Sequence, residues 1–485
     1  MAWKGSSTTG AYDRDLPAPT FDLETWAGNY EGALLPLRLA HVSTHCPSLA
    51  RQSLSIAGAA AKKGKDVQLY SRLHDIASRL GFVELAAIDL DWAPKQEEAN
   101  KRELARLEGE LRGYKNNLIR ESIRMGQEDL AVHLLLTGGP PPDPANPQSV
   151  NSAGYNAAYQ AFGKMRDYCT TPTHVASMTL RLIYTSLLQA VSAQQTGASP
   201  VLFLNATLAN ANRIRTVGVK EEEMAKLTPI MHAMTGIANL GQGAYKDAAI
   251  SFLATPHEYA TNGPIHGTDF TRAVASGNDI AIYGGLCALA TMSRDELVDH
   301  VLGGTFRTFL ELEPHMRKAI SLYTTAKYQA CLESLRHYYS DWSLDVFLGA
   351  NTGITACSHV DKLFARIREK SITAYFSSFS EVSLASLAST FPPTSSLPHA
   401  MENEILSMIQ SGMLDARIDV VNGVLIAPQK ETRSATHAQA KAVAEEVERT
   451  LLLRLHKVNV SMAGLEVPKP KGTYGEGVRV GNGGY

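Results

Sequence analysis

The chain has 485 residues, 44% of them hydrophobic and 19% charged, with 46 Lys and Arg against 48 Asp and Glu and a formal net charge of −2. That length is too great for one compact core and predicts two or more domains. The near-neutral balance provides no global basic field to draw the chain to DNA or an anionic membrane, and the longest apolar stretch, residues 280–292, is interrupted by Gly284-Gly285 and too short to cross a bilayer.

Residues 1–20 are rich in Gly, Ser, Thr and Pro and are expected to be disordered, with no apolar core of the kind a secretory signal carries. From Phe21 the pattern is helical. ALLPLRLAHV, PSLARQSLSIAGAAAKKG and VQLYSRLHDIASRLG each carry an apolar stripe at helical spacing and a Gly or Pro near an end. Residues 97–136 are longer and more charged, and their mixed Glu/Lys/Arg pattern predicts a solvated helix that bridges two parts of an array. GGPPPDPANPQSVNSAG, Gly138–Gly154, is a surface loop by composition. Helices resume with YNAAYQAFGKMRDYC and THVASMTLRLIYTSLLQAV. The segment from Gly243 to Phe252, GAYKDAAISF, has the spacing of a tetratricopeptide-like helix, in which small residues let antiparallel helices approach closely. Paired helices over this length predict an α-solenoid, since each hairpin needs neighbours to cover its apolar face.

NDIAIYGGLCALATMSRDELVDHVLG, residues 278–303, predicts a buried helix followed by one capped by Ser293 ahead of Asp295 and Glu296. The helical pattern continues to HVDKLFARIREKSITAYF. From Ser383 to Pro428 the chain then reads as one small module. VSLASLASTF puts Leu384, Leu387 and Ala388 on one face and stops at Phe391-Pro392-Pro393. HAMENEILSMIQSGML puts Met401, Ile405, Met408 and Ile409 on one stripe and stops near Gly412. ARIDVVNGVLIAP is two β-rich runs joined by Asn422-Gly423, a strong hairpin signal, with Ile418 and Val420 sharing a face with Leu425 and Ala427. Helix, helix and wing predict a winged helix. After a polar link, HAQAKAVAEEVERTLLLRLHKVNV carries Val443, Val447, Leu451 and Leu455 as a stripe between charged flanks, and a Gly/Pro-rich tail over residues 463–485 is expected to be disordered.

No stretch carries recognisable catalytic chemistry. His41 and His45 are four apart, but Val42 stands where a zinc hydrolase of the HExxH type needs its glutamate, so no metal role is assigned. Gly241-Gln242-Gly243 lacks the third glycine of a dinucleotide loop and follows a helical pattern, which makes it a turn between solenoid helices. The five cysteines are scattered and odd in number, as expected of reduced thiols in cytosol or nucleus, and Cys287 and Cys331 fall on apolar helix faces where burial makes a thiol inert. Asp89 and Asp91 are read as a helix-end pair. The second helix of the winged module is acidic at Glu402 and Glu404 and has no Lys or Arg before Arg417, which argues against phosphate contact. The role left for the wing is protein contact through its unpaired hairpin edge; the last helix either packs back on its own domain or joins a multi-helix bundle with partners, the reading its length and its leucines favour. The residues expected to carry those contacts are Ile418, Val420, Val424 and Ile426 on the wing and Val443, Val447, Leu451 and Leu455 on the helix. No catalytic residue, cofactor or metal ligand is expected.

A helical array running into a winged helix resembles the PCI-domain family of the proteasome lid, the COP9 signalosome and a translation initiation factor complex. Several blocks are similar to the signalosome subunit 1 family within it: residues 30–49, 114–135, 165–175, 278–297 (NDIAIYGGLCALATMSRDEL), 309–317 and 363–391. The resemblance implies a mainly α fold, a right-handed α-solenoid of tetratricopeptide-like hairpins over residues 21–265. A PCI domain over 266–432 follows, with a helical adaptor at 266–375 and a winged helix with a small β-hairpin at 376–430. A C-terminal bundle helix occupies 433–462. It further implies a non-catalytic scaffold, not an enzyme, that supports removal of a ubiquitin-like modifier from cullin–RING ligases. The chain would dock the family neighbours subunits 2 and 3 and the ligases, in nucleus and cytoplasm. Carried over, the edge-to-edge contact falls on Arg417–Ala427 and the bundle on Ala438–Val458. Two segments depart from the family pattern as insertions, Gly138–Gly154 and Gly349–Ser358. The rival expectations are a scaffold subunit of the 26S proteasome lid and a winged-helix nucleic-acid-binding regulator. No membrane contact is expected.

Overall fold

The computed structural model describes residues 19–86, 89–138, 155–350, 357–392, 399–428 and 432–465. The expected disorder of residues 1–20 and 463–485 falls almost wholly outside the described residues, as do most of the Gly138–Gly154 loop and the middle of the Gly349–Ser358 insertion. Among the described residues no helix is long and apolar enough to cross a membrane. The chain divides into two compact units: the residues up to Phe379 together with Leu384–Leu414, and Ser380–Ser383 together with the residues from Asp415 on.

The first unit begins with α1 (Leu23–Gly28), α2 (Leu34–His45), α3 (Ala50–Gly64), α4 (Val67–Arg79) and α5 (Val83–Ala86). Asp22 and Asp66 start α1 and α4 by accepting from the amides of Thr25 and Leu69 at 2.9 Å each. Leu39, Val42, Leu54, Ala57, Leu73 and Ile76 bury one core, joined by Leu344 from far along the chain. Next come α6 (Trp92–Asn116) and α7 (Arg120–Leu136). The expected single bridging helix is instead a hairpin. The chain turns at Asn117–Ile119 with Leu118 at φ 54°, and Leu107 and Leu111 of α6 pack against Ile123 and Leu130 of α7. Burial of these leucines outweighs the helical propensity of a turn that contains neither Gly nor Pro. α6 has the solvated character its charge pattern predicts: Lys101–Glu97, Arg102–Glu98 and Arg106–Glu110 pair at four-residue spacing on its outer face.

The array continues with α8 (Asn156–Lys164), a 3-10 turn at Met165–Tyr168, α9 (Pro172–Gln195), α10 (Val201–Thr216), α11 (Glu221–Gly241) and α12 (Tyr245–Leu253), each helix packed on the next. The tetratricopeptide-like pattern has its expected physical meaning. Tyr245, Ala248, Ala249 and Phe252 are buried, and a Cβ on Gly236 of α11 would lie 2.5 Å from the Phe252 ring, so only glycine admits that ring.

After α13 (Glu258–Thr261) and α14 (Phe270–Ala273), α15 (Gly277–Thr291) runs through the middle of the unit. Ser276 and Asp279 form a capping box at its start, and almost every residue from Ile280 to Ala290 is buried. α16 (Arg294–Glu296) is capped by Ser293 as expected and continues into a π-helical turn, Leu297–Leu302. Then follow α17 (Arg307–Leu312), α18 (Pro314–Thr324), α19 (Tyr328–His337), α20 (Tyr339–Ser343) and α21 (His359–Phe376). α12, α17, α18 and α21 all pack on α15. Gly284 of α15 leaves room for Phe306, and Gly285 for Met316. Lys370 of α21 donates to the carbonyls of Leu289 (2.7 Å) and Met292, which closes the C-terminal end of α15.

A buried polar cluster fixes α2 to this helical centre. Arg38 is 1% exposed; it pairs with Asp345 Oδ1 at 2.7 Å and donates to the Val274 carbonyl. The Tyr283 hydroxyl donates to Asp345 Oδ2 (2.9 Å), which also accepts from the amides of Phe347 and Leu348. The Tyr30 hydroxyl donates to Asp279 at 2.8 Å. Burial pushes the Asp279 carboxyl upward and Arg38 opposes it. Residues near the N-terminus therefore pack into the region the sequence assigns to the PCI adaptor. The base of the Gly349–Ser358 insertion is pinned there too: His359 N–H donates to Ala350 and Val360 N–H to Leu348, and Ser358 and Asp361 form the capping box of α21.

α22 (Leu384–Thr390) and α23 (Ala400–Gln410) complete the first unit. The Arg368 guanidinium on α21 holds Glu404 of α23 through two bonds, 2.6 and 3.0 Å, and donates to the Phe391 carbonyl where α22 ends. Of the predicted stripe, Met401, Ile405 and Met408 are buried and Ile409 is half-buried, and Gly412 ends the segment at φ 73°. The second unit holds a three-stranded antiparallel sheet and a long helix: β1 (Glu381–Ser383), β2 (Arg417–Asp419), β3 (Val424–Ile426) and α24 (Thr432–Met462), with strand order β1-β3-β2. β1 is a correction, because Val382 and Ser383 were assigned to the first helix of the module and are strand residues paired with Leu425 and Val424.

Candidate protein-interaction site

The hairpin forms where expected, with Ile418 opposite Leu425, but its turn differs. Four residues, Val420–Gly423, connect Asp419 to Val424, where Asn422-Gly423 had been expected as a two-residue turn. The Asp419 carboxylate explains the longer loop: Oδ1 accepts from the amides of Val421 (3.0 Å) and Asn422 (3.2 Å), and Oδ2 from the Asn422 side chain (2.8 Å). These bonds hold its pKa below the usual carboxylate range. Gly423 supplies the left-handed position, φ 64°.

Three of the four wing residues expected to make contact change meaning. Val424 and Ile426 lie on β3, whose main chain is paired on both sides, so they can offer side chains but no open edge. Val420 lies in the loop, 75% exposed beside the still more exposed Val421, and shares no strand face with Leu425. Among the described residues the outer strands of the sheet are β2, which carries Ile418, and β1. Leu425 is fully buried, as the alternation demands.

α24 is the larger surface. Every one of its residues whose side chain is described is exposed. Val443, Val447, Leu451 and Leu455 are each half or more exposed and stand in one stripe at four-residue spacing, continued by Val458 and Met462. Leu452, Leu453 and Val460 are also exposed and lie on the remaining faces. Apolar side chains thus stand exposed on more than one face of this half of α24, among polar ones such as Arg454, Lys457 and Ser461, and an exposed apolar surface of that extent marks a contact site.

Chemistry is sparse elsewhere. Among the described residues no group of three or more His, Cys, Asp and Glu could hold a metal. The His41 and His45 rings lie 4.1 Å apart; His41 Nε2 meets the Ser343 carbonyl, and burial followed by the neighbouring His45 lowers its pKa to about 3. Burial pushes the Cys331 thiol up to about 12 and the Cys287 thiol higher, which agrees with the inert role expected of both. Asp89 has the expected helix-end role, accepting from the amides of Asp91 and Trp92 while pairing with Lys62. Glu404 of the would-be recognition helix is bound by Arg368, and Glu402 pairs with His399, so that helix presents no cation to a phosphate.

A family model described as 26S proteasome subunit RPN7 matches residues 151–300, and the PCI domain model matches residues 332–429. The COP9 signalosome complex subunit 1 of Emericella nidulans is 40% identical over 463 residues, which cover 93% of this chain and 84% of that protein. Its counterpart in Neurospora crassa is 33% identical, covering 89% of this chain and 88% of the relative, and that of Arabidopsis thaliana 29% identical, covering 95% and 94%. The helical array, the PCI domain with its small sheet and these similarities along nearly the whole length agree: the chain belongs to the COP9 signalosome complex subunit 1 family.

Proposed function

We propose that the chain is a non-catalytic scaffold of a COP9 signalosome, supporting removal of a ubiquitin-like modifier from cullin–RING ligases by docking sister subunits and ligases, in nucleus and cytoplasm. The observation that carries this reading is α24, whose C-terminal half exposes the stripe of Val443, Val447, Leu451 and Leu455 and further apolar side chains outside it. Its natural environment is a bundle of helices from sister subunits, with Val443, Val447, Leu451 and Leu455 as the first seam. The outer edge of β2 and the side chains of Ile418, Val424, Ile426 and Val420 serve the neighbouring subunits, of which the family expectation names 2 and 3.

The test replaces Leu451 and Leu455 together by Asp in the full chain. Both side chains are exposed, so the melting temperature and far-ultraviolet circular dichroism of the isolated protein should hardly change. Co-purification with sister subunits should be lost; if it persists at wild-type yield, α24 is not the bundle element. A second reading, a scaffold of the proteasome lid, draws on the lid-subunit match over residues 151–300. Affinity purification separates the two by which set of subunits co-elutes.

A further inference from the structure

The tip of the α6–α7 hairpin is built against local stability. Leu118 takes a left-handed conformation (φ 54°) that Gly or Asn adopts at far lower cost, and its side chain is 81% exposed. Next to it Ile119 is the residue that starts α7, a position where Ser, Asp, Asn or Thr would cap the helix; Ile119 makes no capping bond and is 53% exposed. Two adjacent aliphatic side chains thus face water in a turn where polar residues would stabilise the hairpin. Local rules broken without a packing return mark a surface kept for contact.

The charge around them is one-sided. Residues 111–120, LRGYKNNLIR, contain Arg112, Lys115 and Arg120 and no acid. All three cations are exposed, and among the described residues none forms an ion pair. The carboxylates that flank the segment are already engaged, Glu110 by Arg106 at 2.5 Å and Glu121 by Arg124 at 2.6 Å. The tip is therefore a local positive field around an aliphatic knob, on a chain whose net charge is −2.

We propose that this tip docks an acidic protein segment carrying an aliphatic or aromatic anchor: Leu118 and Ile119 pack on the anchor while Arg112, Lys115 and Arg120 pair with flanking Asp and Glu. A protein is favoured over nucleic acid or membrane because the knob is small, aliphatic and non-aromatic. Base stacking calls for aromatic side chains, and membrane docking for a broad apolar helix face. This inference does not depend on which assembly the chain joins.

The test uses the full chain and a fluorescent synthetic peptide in which a Leu-Phe pair is flanked by Asp and Glu, followed by anisotropy. Saturable binding is expected, weakened at least about tenfold by Leu118→Asn with Ile119→Ser, by charge reversal of Arg112, Lys115 and Arg120, and by replacing the peptide's Leu-Phe with Ser-Ser. Tenfold corresponds to losing the burial of one aliphatic side chain. Leu118→Asn alone should leave the melting temperature unchanged or raise it, because Asn tolerates the left-handed turn. Equal affinity for wild type and variants would overturn the proposal. So would a fall in melting temperature with Leu118→Asn, which would make the side chain a packing element. Tighter binding of a single-stranded oligonucleotide or a phosphatidylserine vesicle than of the peptide would overturn it as well.

Discussion

Asp345→Ala is the sharpest probe of how this chain is held together. Asp345 receives Arg38 at 2.7 Å, Tyr283 at 2.9 Å and two backbone amides at 3.0 Å, and the Arg38 side chain is only 1% exposed. Removing the carboxylate leaves a guanidinium in the interior with the Val274 carbonyl as its remaining strong acceptor. Breaking a buried pair from one side costs about 3–5 kcal/mol. If that cost falls on the docking of α2, amide exchange across Leu34–His45 should accelerate by roughly a hundredfold to a few thousandfold. Exchange read by mass spectrometry on the intact protein is the assay. Arg51→Ala, which breaks an exposed pair with Glu84, is the control and should change exchange of α2 by a factor of a few at most. Arg38→Met combined with Asp345→Leu should recover part of the loss, because it removes the unpaired charge while Tyr283 and the two amides still lose their acceptor. Asp345→Ala behaving like Arg51→Ala would refute the claim that this cluster fastens α2, and a double variant no better than the single would refute the electrostatic account of it.

Two further outcomes follow from the core. Burial, and to a smaller extent Lys362, lowers the His359 pKa to about 4, and its Nδ1 meets the Tyr245 hydroxyl at 3.0 Å. The unfolded chain takes up that proton near pH 6.5 and the folded one does not, so stability is full above pH 6.5, declines as pH falls, and levels off below about 4. Between pH 7 and 5 this histidine should cost about 2 kcal/mol in urea titrations, and His359→Gln should flatten that slope; an unchanged slope would mean that His359 is not buried neutral. Gly236→Ala should destabilise by about 1–3 kcal/mol despite the better helix propensity of alanine, since its Cβ would lie 2.5–2.8 Å from three carbons of the buried Phe252 ring. Adding Phe252→Leu should restore part of the melting temperature, and a stable single variant would show that α11 and α12 can separate freely.

What the sequence made legible was local. Ser293, Gly412 and the stripe Met401, Ile405, Met408 announce themselves because caps and helical periodicity act within a few residues, and the solenoid follows from repeated apolar faces. The break at Asn117–Ile119 stayed hidden because its residues are ordinary helix material and only the burial of Leu107 and Leu111 against Ile123 and Leu130 turns the chain. β1 was missed for a related reason: three residues are too few for a period-2 signal, and Val382 becomes a strand residue only through pairing with Leu425. The four-residue wing loop depends on Asp419 accepting three bonds ahead of it; an aspartate before an Asn-Gly pair was the available clue. As for the candidate site, the stripe on α24 was readable from spacing, whereas the assignment of Val424 and Ile426 to a doubly paired central strand required the third strand.

The seat of α2 sets an order on how this protein is made. Arg38 and Asp345 are 307 positions apart, so α2 leaves the ribosome roughly 15–60 s before its partner carboxylate at ordinary translation speeds. During that interval a cationic, largely apolar helix waits without its socket, which makes it a natural client for a chaperone. A message truncated anywhere before codon 345 would release a chain whose beginning, as well as its end, has nowhere to settle.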